Sequence, residues 1–388
     1  MLKGLIHSWI NPFLLEILPN LLKMIISGKL KILIICLLIT FPHINFAQTE
    51  LADQNYSKNA IFLNHKCERL RILTNMEKVM GKLPRRNKNL PFDLQITDSI
   101  IEDNFTRYNL TLNVTDKERL PVYLYIPKQI GIPKKLPAML VLHGTHVLGK
   151  GVVDGQGDKP NRAHARELAQ RGYVVIAPDY PSFGDLKDHD FENDRYKSAT
   201  MQAIVNHMRC IDFLQSRADV DPERIGVIGH SLGGHNSMFV SAFDERIKVT
   251  VSSCGWTQFE FYNIGEEGSK KYGGRLGPWA QTRYMPLIRS KYDLDARKIP
   301  FNFSDIIAAI APRAFFSVSP LRDANFDYKG VELGILKVKP VYDSLGVPDK
   351  LQVRYPNAEH DFPVESRIEA YAFIDKILNF KPLNTKLK

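Results

Sequence analysis

An α/β architecture, a mostly parallel sheet with helices on both faces, is predicted from three features of this 388-residue sequence. Its composition, 44% hydrophobic and 24% charged, is that of ordinary globular material. From Leu136 onward, apolar strand-like segments alternate with segments of helical pattern, and repeated strand–helix units fold into a parallel sheet covered on both sides. The segment "IGVIGHSLGG", Ile225 to Gly234, then places a serine between glycines where a strand gives way to a helix.

In chain order, Lys29 and Lys31 precede the apolar run Ile32 to Phe41, followed by Pro42 and a short polar stretch ending at Ala47. This is the pattern of a secretory signal cleaved near Ala47, which implies a periplasmic or secreted protein. The run falls short of the ~20 residues that span a bilayer, so no membrane anchor is expected in the mature chain. Upstream, Pro12 and Pro19 interrupt an apolar stretch unlike the start of a signal, and translation is expected to begin at Met24. Loss of residues 1–48 removes Lys3, Lys23, Lys29, Lys31 and Glu16, lowering the formal net charge from +10 to +7. The remaining excess is scattered. The basic run "KLPRRNK" at Lys82 to Lys88 reads as a solvated loop with no nucleic-acid motif beside it, so no nucleic-acid partner is expected.

Cys67 to Met80 has apolar residues at helical spacing, stopped by Gly81 and Pro84, and predicts one helix within an amino-terminal extension over residues 49–92. Residues 93–388 read as one catalytic domain. "FDLQITDSIIED", "RYNLTLNVTD" and "LPVYLYIPK" predict an antiparallel entry to the sheet. The parallel series follows as "AMLVLHG", a helix around Arg162 to Arg171, "YVVIAPD", a helix around Tyr196 to Arg217, and "IGVIGHS". After a further helix come "IKVTVSSC", an irregular insertion over residues 255–302, "RAFFSVSP", a helix around Val331 to Leu345, "KLQVRYP" and a last helix, Glu365 to Leu378.

Gly229-His230-Ser231-Leu232-Gly233 satisfies G-x-S-x-G in the strand-to-helix context that the motif requires, with Ser231 as nucleophile. The alternative, a serine that only caps the helix, does not account for the glycine on either side. A serine is unreactive alone at neutral pH and needs a base. His360 is the only histidine after His235 and lies in "NAEHDFP", a loop between the last strand and the last helix, which makes it the candidate base. The orienting acid belongs in "LRDANFD", where Asp323 is preferred to Asp327 for its place nearer the strand end. Asp327 reads as a helix cap, although one residue of turn geometry would reverse the two. The backbone N–H groups of Thr145, in "LVLHGTH", and Leu232 are the candidate oxyanion hole. Tyr180, Phe183 and Trp256, each following a strand end, are assigned to the substrate pocket. His143, His146 and His189 lack further ligands at metal-site spacing, so neither a metal nor a cofactor is expected. Gly155-Gln156-Gly157 is read as a loop near the rim of the site.

The elbow, "LHGTH", "RGYVVIAPDYPSFG", "APRAFFSVSPLRDANFD" and "AEHDFP" together resemble an α/β-hydrolase of the dienelactone hydrolase and acetyl xylan esterase-like group, from about Asp93 to the last helix. The resemblance implies an eight-stranded sheet, a triad of Ser231, Asp323 and His360, and ester hydrolysis through an acyl-enzyme. At the oxyanion loop the chain departs from the H-G-G-G of many such esterases, reading His143-Gly144-Thr145-His146. Aromatic residues of the insertion either stack on a sugar ring or pack as a small core. Secretion and resemblance together point to a small-molecule or carbohydrate ester substrate, acylated or methyl-esterified. A serine peptidase related to the prolyl oligopeptidases is the alternative, in a propeller-free form, because only about 90 residues separate Ala47 from "AMLVLHG". A non-catalytic protein that kept the fold ranks below both, since no triad member is missing.

Overall fold

The computed structural model describes residues 50–128 and 135–383, with side chains from Ala60 onward. The expected signal, its cleavage at Ala47 and the start at Met24 lie outside the described residues. Among the described residues no helix is long and apolar enough to cross a membrane. The chain divides into two compact units, the second running from Arg71 to Lys388. The first contains most of helix α1, Glu50–Met80, which starts earlier than the apolar spacing indicated. The last turns of α1, in the second unit, bury Ile72, Met76, Val79 and Met80.

Nine strands form one sheet: β1 (Gln95–Ile101), β2 (Phe105–Asn113), β3 (Arg119–Pro127), β4 (Leu136–Leu142), β5 (Val174–Pro178), β6 (Val220–His230), β7 (Ile247–Ser253), β8 (Ala314–Val318) and β9 (Leu351–Arg354). Their order is β1-β2-β3-β5-β4-β6-β7-β8-β9. The first three are antiparallel to their neighbours and the rest run parallel. The resemblance implied eight strands. The ninth is the edge strand β1, which pairs with β2 alone and leaves every residue exposed.

Successive side chains of a strand point to opposite faces, so the apolar run of β4 feeds two cores. Leu140 and Leu142 join one with β5 residues Val174 and Ile176, while Met139 and Val141 join the other with Val175 and Ala177. The first core is closed by α3 (Ala199–Ser216), α4 (Leu232–Phe243), α7 (Phe303–Ile310) and α8 (Tyr328–Ser344). The second is closed by α2 (His164–Gln170) and α9 (Val364–Ile377). Between β7 and α7 the insertion holds two short helices, α5 (Gly265–Tyr272) and α6 (Leu287–Ser290). Its Phe259, Trp279 and Phe301 are buried, so part of the insertion packs as a small aromatic core.

Both cores hold neutral histidines. Burial lowers His164, His207 and His235 to about 3. Unfolding returns each to the ordinary value near 6.5, so between these limits the unfolded chain binds more protons and stability falls as pH falls. Each such histidine contributes a slope of about 1.4 kcal/mol per pH unit over that window. Denaturant midpoints measured at pH 7.5 and pH 5 are expected to drop steeply on acidification. Equal midpoints would contradict the burial of these rings.

Candidate active site

The strands deliver their carboxyl ends to one edge, where loops after β4, β6, β8 and β9 converge. Ser231 follows β6 with φ +57° and ψ −121°, a left-handed conformation costing about 1–3 kcal/mol in a non-glycine residue. The glycines around it permit this turn. A Cβ at Gly229 would lie 2.2 Å from the Gly233 carbonyl carbon, and one at Gly233 would lie 2.0 Å from the Leu142 oxygen. Helix α4 can therefore begin against β4 and β6 only if both positions lack a side chain.

His360 Nε2 stands 2.9 Å from Ser231 Oγ, and His360 Nδ1 stands 2.8 Å from Asp323 Oδ2. A carboxylate accepts only, which puts the proton on Nδ1 and leaves Nε2 to accept from the serine hydroxyl. The Asp323 side chain is fully enclosed, and its Oδ1 accepts from the backbone N–H groups of Asn325 and Phe326 at 2.9 and 3.1 Å. Asp327 instead caps α8, accepting from the Lys329 N–H. Phe326 stacks on the His360 ring, and the His230 ring lies tilted against it with centroids 5.0 Å apart. Cys254 joins His360 and Asp323 in a cluster within 4.8 Å. With both His360 nitrogens engaged, this cluster is a hydrogen-bonded chain and not an open set of metal donors. Burial pushes the Cys254 thiol well above its ordinary range, so it stays protonated and donates to the Asp361 carbonyl at 3.1 Å.

Thr145 lines both clefts beside Ser231, and Leu232 follows the serine in the chain and lines one of them. Gly144 passes so close that a Cβ there would lie 3.6 Å from that of Ser231. The loop carrying Thr145 is fastened from behind. His143, kept neutral by burial, donates from Nδ1 to the Gly144 carbonyl and accepts from the Tyr180 N–H at Nε2. Asp179, without exposure, accepts from the Lys150 backbone and ammonium, both at 2.7 Å, and Lys150 also reaches Asp185.

Two clefts meet at Ser231, Thr145 and His360. One, of about 200 Å³, has the charged residues Asp158, Lys159 and Arg162 on its wall; Gly157 at its rim belongs to the glycine loop expected there. The other, of about 220 Å³, is lined by Tyr262, Tyr272, Trp279, Tyr284 and Phe326, with Gln281 and Asn325 among them. The insertion thus supplies a cleft wall as well as a core.

Tyr180, Phe183 and Trp256, assigned to the pocket from the sequence, line neither cleft. Trp256 is 1% exposed and donates from Nε1 to Ser317 Oγ. Its ring packs under α8, where a Cβ at Gly334 would come within 2.6 Å of it. Tyr180 and Phe183 are buried with Leu232 behind Tyr284, and the Tyr180 hydroxyl donates to the Arg283 carbonyl at 2.7 Å. A position after a strand end placed these residues near the site; the side of the chain on which each points was not legible. The aromatic content of the insertion was the signal for Tyr262, Tyr272, Trp279 and Tyr284.

Residues 191–346 match the model of the family described as "Glucuronyl esterase, fungi". A putative hydrolase of Bacillus subtilis, YtaP, is 28% identical over 312 residues, covering 78% of this chain and 97% of that protein. The 4-O-methyl-glucuronoyl methylesterase of Hypocrea jecorina is 26% identical over 224 residues, covering 53% of this chain and 46% of that one. Among solved structures, a glucuronoyl esterase from Solibacter usitatus superposes with a TM-score of 0.61 at 20% identity, covering 80% of this chain and 91% of the other.

Proposed function

We propose that this chain is a serine hydrolase of the α/β-hydrolase superfamily that hydrolyses esters of acylated or methyl-esterified carbohydrate through Ser231, His360 and Asp323. The observation that carries the reading is the hydrogen-bonded chain from Asp323 through His360 to Ser231 at the mouth of an aromatic cleft. The likeness to a family of glucuronyl esterases supports the ester class.

Ser231 Oγ attacks the ester carbonyl carbon as His360 Nε2 takes its proton. Negative charge gathers on the former carbonyl oxygen, where the N–H groups of Thr145 and Leu232 receive it. Collapse breaks the bond to the alcohol oxygen, which takes the proton back from His360 and leaves an acyl group on Ser231. Water repeats the sequence and frees the acid. Asp323 keeps the proton on Nδ1 throughout and stabilises the imidazolium.

Flat aromatic faces beside polar amides suit a sugar ring, whose C–H faces pack on the rings while hydroxyls reach Gln281 and Asn325. The reading takes residues 93–388 as a catalytic domain with its substrate wall in the insertion 255–302, preceded in the chain by an extension over 49–92. Export to the periplasm or beyond rests on the apolar run before Ala47.

Turnover of the purified protein against aryl acetates, acetylated xylan fragments, uronic acid methyl esters and amino-acid anilides tests this reading. Preference for a carbohydrate ester is expected, and preference for the anilides would move the chain to the peptidases. Tyr272→Ala, at a half-exposed position, is expected to raise KM for the sugar ester about tenfold while leaving a small aryl acetate within about twofold. Equal effects on both substrates would remove Tyr272 from sugar binding.

A further inference from the structure

His360 sits on a loop without regular structure between β9 and α9. Its ring is held by Asp323 and Ser231; its backbone has other supports, Cys254 at the Asp361 carbonyl and Arg162 at the His360 carbonyl among them. This guanidinium, in the three-residue turn Pro160–Arg162 before α2, donates from Nη1 to Asp361 Oδ1 at 2.5 Å and from Nη2 to the His360 carbonyl at 3.2 Å. Its neighbour Asn161 donates to the other Asp361 oxygen at 2.6 Å. Burial alone would raise the Asp361 carboxyl, yet the bonds from Arg162 and Asn161 outweigh that and hold it below its ordinary range. Behind this layer Arg367, on α9, donates to Asn161 Oδ1 and to the Phe362 carbonyl, both at 2.7 Å, and pairs with Glu167. Arg162 is 7% exposed and lines the cleft of Asp158 and Lys159 beside Ser231.

We propose that Arg162 is the positioning residue for the candidate base, its planar guanidinium spanning the His360 carbonyl and the Asp361 carboxylate so that Nε2 stays within reach of Ser231. The inference rests on the reading of His360 as base. A fork of donors can satisfy two acceptors in fixed directions; a lysine ammonium carries the same charge but cannot hold both in one plane. A displacement of the base by about 1 Å is worth about 10²-fold in rate.

The test compares wild type, Arg162→Lys and Arg162→Ala in the full chain, by steady-state hydrolysis of p-nitrophenyl acetate, the rate of fluorophosphonate labelling at Ser231, and thermal melting. Arg162→Ala is expected to lose about 10²-fold in kcat and in labelling rate with KM within about twofold. Guanidinium ion, below denaturing concentration and entering by the cleft that Arg162 lines, is expected to restore Arg162→Ala about tenfold but to leave wild type unchanged. Arg162→Lys, which keeps the charge and the fold, is expected to lose about tenfold in kcat. Wild-type rates in Arg162→Lys would overturn the proposal. So would a loss in Arg162→Ala that follows lost melting temperature and resists guanidinium. A wild-type protein that neither turns over nor labels would overturn the catalytic reading itself, an outcome distinct from equal labelling of wild type and variants.

Discussion

Alanine at position 231 is expected to lower turnover of aryl acetates by at least about 10⁴-fold, because no acyl-enzyme can form without the serine oxygen. The residual rate is expected to come from binding and from the proposed oxyanion donors, the N–H groups of Thr145 and Leu232, which the substitution leaves in place. A modest gain in stability is expected alongside the loss. Ser231 occupies φ +57° with its Oγ committed to His360 and makes no side-chain bond to the helix it opens, so its strain is not offset by capping and fits the proposed nucleophile. The measurement is kcat with mass spectrometry of fluorophosphonate-treated protein: a labelled variant, or one with full turnover, would refute the assignment.

Asparagine at position 323 is expected to cut kcat by about 10³–10⁴-fold with KM little changed, because the amide can donate to Nδ1 and favour the wrong tautomer. The comparison with Asp327→Asn decides between two acids four residues apart. Asp327 caps α8 through the Lys329 N–H. Its replacement is expected to lower stability by no more than about 1 kcal/mol and to leave kcat within about twofold. The opposite ranking of the two variants would exchange their roles.

Ser231 was legible because its motif is local: glycines two residues away on either side are forced by the approach of α4 to β4, and sequence spacing records that directly. His360 was legible by chain order, which a topology of successive parallel strands preserves. Asp323 over Asp327 was a matter of one turn, and the geometry that separates them, two backbone N–H groups folding onto Asp323 Oδ1, leaves no mark on composition. Trp256 was misplaced because strand-end position says nothing about which way a ring turns. Gly334, 78 positions away by number, makes the room that the indole fills. Arg162 could not be seen at all, being 198 residues from the carbonyl it holds. The ninth strand was visible as the segment "FDLQITDSIIED", and only the count implied by the resemblance left it out.

The clasp of Lys150 on Asp179 and Asp185 has a bearing on the kinetics of the cycle. Breaking the buried Lys150–Asp179 pair is costly, about 3–5 kcal/mol, so the segment that follows Thr145 is held firmly at that point. Its ordering is completed when the chain folds and is not repeated with each ester. On the proposed reading, the Thr145 amide is in place before substrate arrives, so none of the binding energy is used to order it.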